Sequence, residues 1–275
     1  MSRERAYRAA MLLGRTGMRA LDLRVEGIGA EHVPTSGPVL LAATHVSYPD
    51  FAFIQTGVRS SGRYVRFMTR HDVWHVPGLA RPMDAMRHIP VDRQAPAAAY
   101  VRARGLLREG EAVCAFPEAG ISYSYTVRSM MRGVASLARE TGAPVVPVAL
   151  WGAQRVFSVG VPDARGKEPR PSLRRGRRVD VSFGEPLGID RGDDLTEWTR
   201  HLGDQLTEQL EELQCRPHHR PRPGEHAPWY PAHLGGHAPT RAEAAHLDVV
   251  PRSAVSPTWG PVPGGDASRS TRAGW

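Results

Sequence analysis

Residues 33–215 alternate short apolar runs with stretches of helical character, and this alternation restricts the fold more than any other feature of the sequence. Six apolar runs are bounded by turn residues, as strands are: 39–44, 64–68, 88–91, 112–116, 145–151 and 179–183. Helical stretches lie between them, at about 50–59, 96–108, 128–141 and 194–214. Runs 38–43 and 145–150 are apolar on both faces, which is typical of buried parallel strands. The sequence therefore predicts an α/β fold with a mostly parallel sheet flanked by helices.

Residues 1–24 predict a basic amphipathic helix that precedes this domain. Its polar face carries Arg3, Arg5, Arg8, Arg15 and Arg19, and its apolar stripe carries Met11, Leu12, Met18 and Leu21. Such a helix either lies in a membrane interface or packs on the core with its basic face in solvent, and the pattern favours neither. No run reaches the roughly 18–20 apolar residues that cross a bilayer, so we expect no transmembrane helix. The first apolar run is also too short for a secretory signal peptide.

The last part of the sequence, residues 216–275, differs in composition from the 25–215 domain. It holds ten of the 24 prolines, seven of the 28 glycines and six histidines. This composition predicts a largely disordered tail, in which only 229–234 has the character of a docking segment. His233 and His237 are four residues apart, but Gly235 and Gly236 between them argue against a metal site in the tail.

The charge balance favours anionic partners. There are 36 basic against 28 acidic residues, a net charge of +8, and all basic residues except Lys167 are arginine. Phosphate esters, anionic lipid and nucleic acid all fit that charge. The arginine-rich run 170–178 lacks interleaved aromatic residues and accompanies no known nucleic-acid-binding signature, so we expect no nucleic-acid partner.

The remaining composition excludes several chemistries. Lys167 is followed by Glu168, so there is no Walker loop, and the absence of asparagine excludes N-glycosylation. The two cysteines form no CxxC pair, and Cys114 lies in an apolar run, where we expect a small core residue. A reduced, cytosolic chain is the simplest interpretation.

The strongest candidate for chemistry is the segment Thr44–Phe51, which follows the first strand. His45 is expected at the carboxyl end of that strand, where open α/β sheets bind their ligands. Asp50 falls in the first turn of the next helix, from which its carboxylate can turn back to the imidazole. A histidine held in this way can take a proton from an alcohol near neutral pH. Alternatively, Ser47 and Asp50 form a capping box and His45 is a turn residue without a role.

Two further strand ends carry polar residues. The run 112–116 ends in a Pro-Glu-Ala-Gly turn, where Gly120 permits close backbone approach and Glu118 is either a cap or an acceptor for a substrate hydroxyl. Arg93 follows the run 88–91 and either binds a phosphate or pairs with Asp92.

Four blocks together resemble the glycerolipid acyltransferase family, whose best-known members are the 1-acylglycerol-3-phosphate acyltransferases. His45 and Asp50 match its HxxxxD block, and Ile89 to Arg93 resemble its second block. Phe116-Pro117-Glu118 and Ser122 match the start and end of its third block, and Val145 to Ala149 resemble its closing Val-Pro-Val strand. The resemblance covers about residues 25–190 and implies a glycerol-3-phosphate acyltransferase-like fold.

The resemblance also implies an activity, the transfer of a fatty acyl group from acyl-CoA or acyl carrier protein to 1-acylglycerol-3-phosphate. His45 would remove the acceptor's hydroxyl proton, and Asp50 would hold the imidazole and stabilise its charged form. No cofactor, metal ion or acyl-enzyme is expected. A lysophospholipid and the thioester donor are the expected partners, at a membrane surface that a peripheral protein would meet from the cytoplasmic side.

Departures from the family pattern leave the acceptor open. Thr44 stands where the family often has asparagine, and Ala119-Gly120-Ile121 replaces a Gly-Thr-Arg whose arginine is tied to the acceptor's phosphate. Either Arg93, Arg128 or Arg132 takes over the anion, or the acceptor is another lysophospholipid, a glycolipid or an amino-lipid. The expected substrate-binding residues are Arg93, Glu118, Gly120, Ser122, Arg128 and Arg132. A hydrolase that uses the same pair on water and a non-catalytic lipid-binding relative are the alternatives of a different class.

Overall fold

The structure is a computed structural model, which describes residues 3–161 and 169–248. Seven strands form one sheet: β1 Arg24–Ile28, β2 Val39–Ala43, β3 Val65–Arg70, β4 Ile89–Val91, β5 Ala112–Ala115, β6 Val145–Trp151 and β7 Arg178–Phe183. The α-helices are α1 Arg3–Ala20, α2 Asp50–Gly57, α3 Ala80–Ala85, α4 Ala97–Arg108, α5 Gly133–Thr141, α6 Leu195–Gln214 and α7 Arg241–Ala244. The six strands and four helices predicted within 33–215 are present. Two elements in or just before this range were not predicted: the strand β1, which precedes it, and the short helix α3, which lies within it.

The strand order is β1-β7-β6-β2-β5-β3-β4, and every neighbouring pair is parallel except β6 and β7. The mostly parallel sheet flanked by helices is therefore confirmed. β2 lies at its centre, with Leu41 opposite Cys114 of β5 and Val146 of β6. Because β2 and β5 are parallel neighbours, the residues that follow them emerge at the same edge of the sheet.

The core is centred on β2, β5 and β6, all of whose residues are buried. Leu40, Leu41, Leu150 and Trp151 are among the largest fully buried side chains, and burial of each contributes roughly 1.5–3 kcal/mol. Cys114 lies within this core, where burial raises the pKa of its thiol. Cys114 is thus the small core residue that the sequence predicts.

Two glycines set the position of the helix that follows β2. A Cβ on Gly27 of β1 would overlap the backbone carbonyl of Gly57, the last residue of α2. Gly57 in turn lies against Val181 of β7, where an added Cβ would be 3.1 Å from the valine Cβ. This close approach holds α2 against the β1–β7 side of the sheet and so fixes Asp50 at its other end.

Helix α1 is docked on the domain through one aromatic residue. Tyr7 is buried, and its hydroxyl lies 2.8 Å from Gln55 Oε1 and 2.7 Å from the Val65 carbonyl. On another part of the same helix, Leu12 and Leu13 are 64% and 76% exposed. The helix therefore packs on the core, which is one of the two alternatives that the sequence left open. It also exposes two leucines at its surface. Among residues 3–161 and 169–248, no helix has the length and apolar character to span a bilayer.

The predicted disorder from residue 216 onward is wrong for residues 216–248. Ala227 and Tyr230 are buried against the hydrophobic core, and the Tyr230 hydroxyl donates to the Gln214 carbonyl over 2.8 Å. Turns at proline and glycine bring apolar residues onto the domain. The segment is therefore packed, although its composition is typical of disorder. We call residues 216–248 the C-terminal segment. Residues 249–275 lie outside the described residues, and their disorder stays a prediction.

Candidate active site

His45 and Asp50 meet at the carboxyl edge of the sheet, directly after β2. His45 Nδ1 lies 2.8 Å from Asp50 Oδ2, so the imidazole donates its Nδ1–H to the carboxylate. Asp50 is completely buried, whereas the His45 side chain is 21% exposed. With Nδ1 protonated, Nε2 carries the lone pair and is the nitrogen that can accept a proton from a bound molecule.

The Asp50 carboxylate is held by the turn that precedes it. Oδ2 also accepts the backbone amides of Val46 and Ser47 over 2.8 and 2.9 Å, and the Ser47 hydroxyl donates to Oδ1. The Ser47 amide bond to Asp50 is one half of the predicted capping box, and the other half is missing, since no side chain caps α2 at its N-terminus. The donors leave the carboxylate little freedom to rotate, and the imidazole is oriented in consequence.

Phe116, at the end of β5, forms one wall of the histidine site. Its ring stacks on the His45 imidazole with centroids 4.3 Å apart and planes 28° from parallel. An imidazole held between a carboxylate and an aromatic face has few other rotamers available, so the ring is kept in one orientation.

Glu118 links the histidine turn to a second loop. It is 1% exposed, its Oε1 accepts the His45 backbone amide over 2.9 Å, and its Oε2 accepts the Arg128 backbone amide over 2.6 Å. Burial raises the pKa of this carboxyl to about 7, against the lowering effect of the two amides. Each oxygen accepts a backbone amide, so Glu118 connects the His45 turn to the Arg128 loop, and its role as an acceptor for a substrate hydroxyl stays a prediction.

Ser122 and Gly120 lie on the loop that Glu118 begins. The Ser122 amide donates to the His45 carbonyl over 3.2 Å, and its buried hydroxyl lies 3.2 Å from that of Ser124. Ala119, just before Gly120, has a φ of +54°, a left-handed conformation that costs a non-glycine residue of order 1–3 kcal/mol. Such strain at a strand end beside a candidate base is a common companion of function.

Two of the three predicted arginines come together beside Gly120. A Cβ on Gly120 would collide with Arg128 Nη1 and lie 3.7 Å from Arg93 Nη2. Burial, together with the charges of Arg70 and Arg128, lowers the pKa of Arg93. Positive charge is therefore concentrated at this glycine, where an anion would be attracted. Arg132 does not share this position, since it is exposed at the start of α5 and its charge acts on Asp194.

The C-terminal segment adds residues that sequence reasoning missed. Arg241 Nε donates to Thr126 Oγ1 over 2.9 Å, and Asp248 Oδ1 lies 3.5 Å from Arg128 Nε. Asp248 also accepts the Tyr123 amide over 3.3 Å, and burial raises the pKa of its carboxyl. These contacts join positions 115 to 125 residues apart in sequence, and the composition of the segment gives no sign of them.

A mostly parallel sheet holds at its carboxyl edge a histidine oriented by a buried aspartate, beside a loop with two arginines. In chemical terms such an arrangement can take a proton from a hydroxyl near an anion. Residues 24–151 match the family model described as Acyltransferase. Over those residues the chain resembles the acyltransferase family.

Characterised relatives differ in the acceptor that their names give. The chloroplastic 1-acyl-sn-glycerol-3-phosphate acyltransferase of Arabidopsis thaliana is 27% identical over 142 residues, which are 50% of this chain and 38% of that protein. The matched part of the Brassica napus relative is likewise 38% of its length, so the chain spans well under half of these two proteins. The lyso-ornithine lipid O-acyltransferase of Rhizobium meliloti is 28% identical over 224 residues, which are 74% of this chain and 72% of that protein.

A solved structure shares the fold. The crystal structure of the 1-acyl-sn-glycerophosphate acyltransferase from Thermotoga maritima superposes with a TM-score of 0.61 at 22% identity. The superposition covers 78% of this chain and 82% of that one. At this level of identity the likeness establishes the fold alone.

Proposed function

We propose that this chain transfers a fatty acyl group from a thioester donor, acyl-CoA or acyl carrier protein, to the free hydroxyl of a lysophospholipid. The first choice of acceptor is 1-acylglycerol-3-phosphate, which would give phosphatidate for phospholipid synthesis. The observation that carries the proposal is the 2.8 Å contact between His45 Nδ1 and the buried Asp50 carboxylate, which leaves Nε2 as the proton-accepting nitrogen of a partly exposed ring.

His45 acts as the general base in this proposal. Nε2 takes the hydroxyl proton as the acceptor oxygen attacks the thioester carbonyl carbon, and the new C–O bond forms. The tetrahedral intermediate then expels the thiolate, which takes the proton back from the imidazolium. Asp50 stabilises the imidazolium meanwhile, and such a base typically supplies about 10²–10⁴-fold in rate. Because a thiolate is a good leaving group, no cofactor or metal ion is needed for the reaction.

Negative charge on the thioester oxygen requires hydrogen-bond donors during the reaction. The Ala119 amide is engaged with the Phe116 carbonyl over 3.0 Å. We therefore assign the donor role to the next amide, that of Gly120. Arg93 and Arg128 lie beside the same glycine and would hold the acceptor's phosphate close to the histidine.

Peripheral attachment to the cytoplasmic face of a membrane completes the proposal. Leu12 and Leu13 are exposed on α1, and the same helix carries several arginines. Apolar side chains would enter the lipid interface, and each arginine near anionic headgroups contributes about 1 kcal/mol. The lipid acceptor would then reach the site from the bilayer.

A second acceptor class is favoured by Asp248. Its carboxylate, 3.5 Å from Arg128 Nε, would repel a phosphate dianion but complement an ammonium group. A headgroup that carries both an amine and an acidic group would meet opposite charges on Asp248 and on the arginines. The relative from Rhizobium meliloti is named for an acceptor of this kind, an ornithine lipid.

One experiment separates these possibilities. Labelled palmitoyl-CoA is supplied with a panel of lysophosphatidate, other lysophospholipids, lyso-ornithine lipid and lysoglycolipid, and the lipid products are identified by mass spectrometry. We expect a diacyl product with wild type and with His201→Ala, an exposed histidine on α6, and none with His45→Ala. Free fatty acid formed without acceptor would instead indicate a hydrolase. Lipid binding without turnover in the wild type would indicate a binding protein and refute the proposal.

A further inference from the structure

Asp180, His218 and His219 form a cluster with two buried members, which we call the Asp180 cluster, outside the candidate active site. Asp180 lies on β7 opposite Trp151, the last residue of β6. His218 and His219 follow α6 and begin the C-terminal segment. Asp180 is 1% and His219 2% exposed, whereas the His218 side chain reaches the surface. Neither the acyl-transfer proposal nor the family match gives these residues a role.

The donor atoms of the Asp180 cluster converge on one point. His218 Nε2 lies 2.8 Å and His219 Nε2 3.2 Å from Asp180 Oδ2, and one ligand atom from each residue lies within 4.8 Å of the others. Imidazole nitrogens and carboxylate oxygens bind zinc at about 2.0–2.2 Å, so ligand atoms around one ion are separated by roughly 3–3.5 Å. The two nitrogen–oxygen distances, 2.8 and 3.2 Å, are close to that separation.

Two atoms in the Asp180 cluster lack the hydrogen bonds that buried polar atoms normally make. Within residues 3–161 and 169–248, the buried Asp180 Oδ1 makes no hydrogen bond, and the 3.2 Å contact of the buried His219 Nε2 with Asp180 Oδ2 does not have hydrogen-bond geometry. Buried orphan atoms of this kind usually mark a water or an ion. Gly152 makes room for the second imidazole, since a Cβ there would stand 2.9 Å from His219 Cε1.

Arg216 is the main competitor for the carboxylate. Its Nη1 lies 3.0 Å from Asp180 Oδ2, and its positive charge opposes a second cation nearby. An ion pair of Asp180 with Arg216 and the two histidines would fix the segment without any metal. That arrangement, however, leaves Asp180 Oδ1 without a hydrogen bond and the contact of His219 Nε2 without hydrogen-bond geometry.

We propose that Asp180, His218 and His219 bind one divalent transition-metal ion, with zinc as the best match to two imidazoles and a carboxylate. Both carboxylate oxygens and the two Nε2 atoms supply four donors, and Arg216 remains a hydrogen-bond partner of Oδ2 outside the coordination sphere. Because of the arginine, binding is weaker than at a closed cysteine site. The ion has a structural role, since it ties the start of the C-terminal segment to β7.

The test measures metal directly. The full-length protein is stripped with a chelator, dialysed against a slight excess of zinc chloride in chelator-free buffer, and analysed by mass spectrometry for metal content. We expect about one zinc per chain and a higher melting temperature with zinc than without. His218→Ala removes a ligand from the solvent side and is expected to weaken binding more than ten-fold, and His219→Ala is expected to do the same. His233→Ala is the matched control, because this histidine lies in the same segment but pairs with Glu211.

Cobalt gives a second measurement that needs no variant. Cobalt(II) bound to two nitrogens and a carboxylate in a four-coordinate site produces intense visible absorption, which zinc should displace. Wild-type protein without stoichiometric zinc and without this absorption would overturn the proposal and leave an ion pair. Equal metal content in wild type and His218→Ala would overturn it as well, because the ion would then lie elsewhere.

Discussion

Replacement of Asp50 by asparagine isolates the charge of the candidate dyad from its geometry. Three N–H donors, from His45, Val46 and Ser47, converge on Oδ2, whereas Oδ1 meets only the Ser47 hydroxyl. In Asp50→Asn the amide oxygen is expected to take the Oδ2 position, and its NH₂ group can donate to the serine oxygen. The imidazole then keeps its tautomer and its direction, and only the negative charge is lost.

The size of the effect follows from that charge. An imidazolium and a carboxylate in contact have charge centres about 4 Å apart, which corresponds to about 4 kcal/mol at the effective dielectric constant of about 20 found near protein surfaces. At 1.36 kcal/mol per factor of ten, kcat/KM is expected to fall about 10³-fold. The imidazolium exists only once the hydroxyl proton has moved, so the loss appears in kcat more than in KM.

The assay follows thiol release from palmitoyl-CoA in the presence of the best acceptor, with melting temperatures to verify folding. Asp84→Asn, an exposed carboxylate that pairs with Trp74, is the matched control and should retain full activity. His45→Ala and the double variant His45→Ala/Asp50→Asn should be equally slow, since the two groups act as one unit. A folded Asp50→Asn enzyme within ten-fold of wild type would refute the reasoning, and so would multiplicative losses in the double variant.

Three further outcomes follow from the same region. Arg93→Ala is expected to raise the acceptor KM about ten-fold with a smaller change in kcat. Arg132→Ala, at an exposed position, should leave both constants unchanged. Equal KM values for the two variants in steady-state kinetics would show that Arg93 is not part of the anion site. Asp248→Asn is expected to lower the KM for a phosphate-bearing acceptor about three- to ten-fold, because it removes the carboxylate beside Arg128, and a raised KM in the same assay would contradict this. Burial raises the pKa of Glu118 from 4.5 to about 7. The folded state therefore binds this proton more tightly than the unfolded state does. As pH rises from 4.5 to 7, the free energy of unfolding should fall by about 3 kcal/mol. Urea denaturation at several pH values should show that slope in wild type but not in Glu118→Gln, and equal slopes would disprove it.

The sequence predicted the sheet well because its inner strands are apolar on both faces. β2 and β6 are wholly buried, so their runs of valine, leucine and alanine could hardly form anything else. β1 was missed because Arg24–Ile28 is an edge strand of mixed character with only part-buried side chains. The reversal of β7 relative to β6 is a matter of chain path, which strand patterns do not encode.

The candidate site was predictable where neighbours in sequence are also neighbours in space. His45 and Asp50 are five residues apart across one turn, and their contact follows from a strand end and a helix start. Glu118 was identified from the sequence as a candidate, but its contacts with two backbone amides were not, since no side-chain pattern reveals them. The contacts of Asp180 with His218 and of Asp248 with Arg128 cross 38 and 120 positions, and they depend on a proline-rich segment whose composition suggested disorder.

The Glu118 carboxylate accepts hydrogen bonds from two separate backbone segments, and it thereby couples the turn that carries His45 to the loop that carries Arg128. One oxygen holds the backbone of the histidine and the other holds that of the arginine, 83 positions along the chain. A lipid headgroup that displaces the loop of Arg128 would therefore also shift the turn that carries the imidazole. Acceptors that fit badly would be penalised in how fast they react as well as in how tightly they bind, and a single carboxylate would serve as the mechanical link between recognition and turnover.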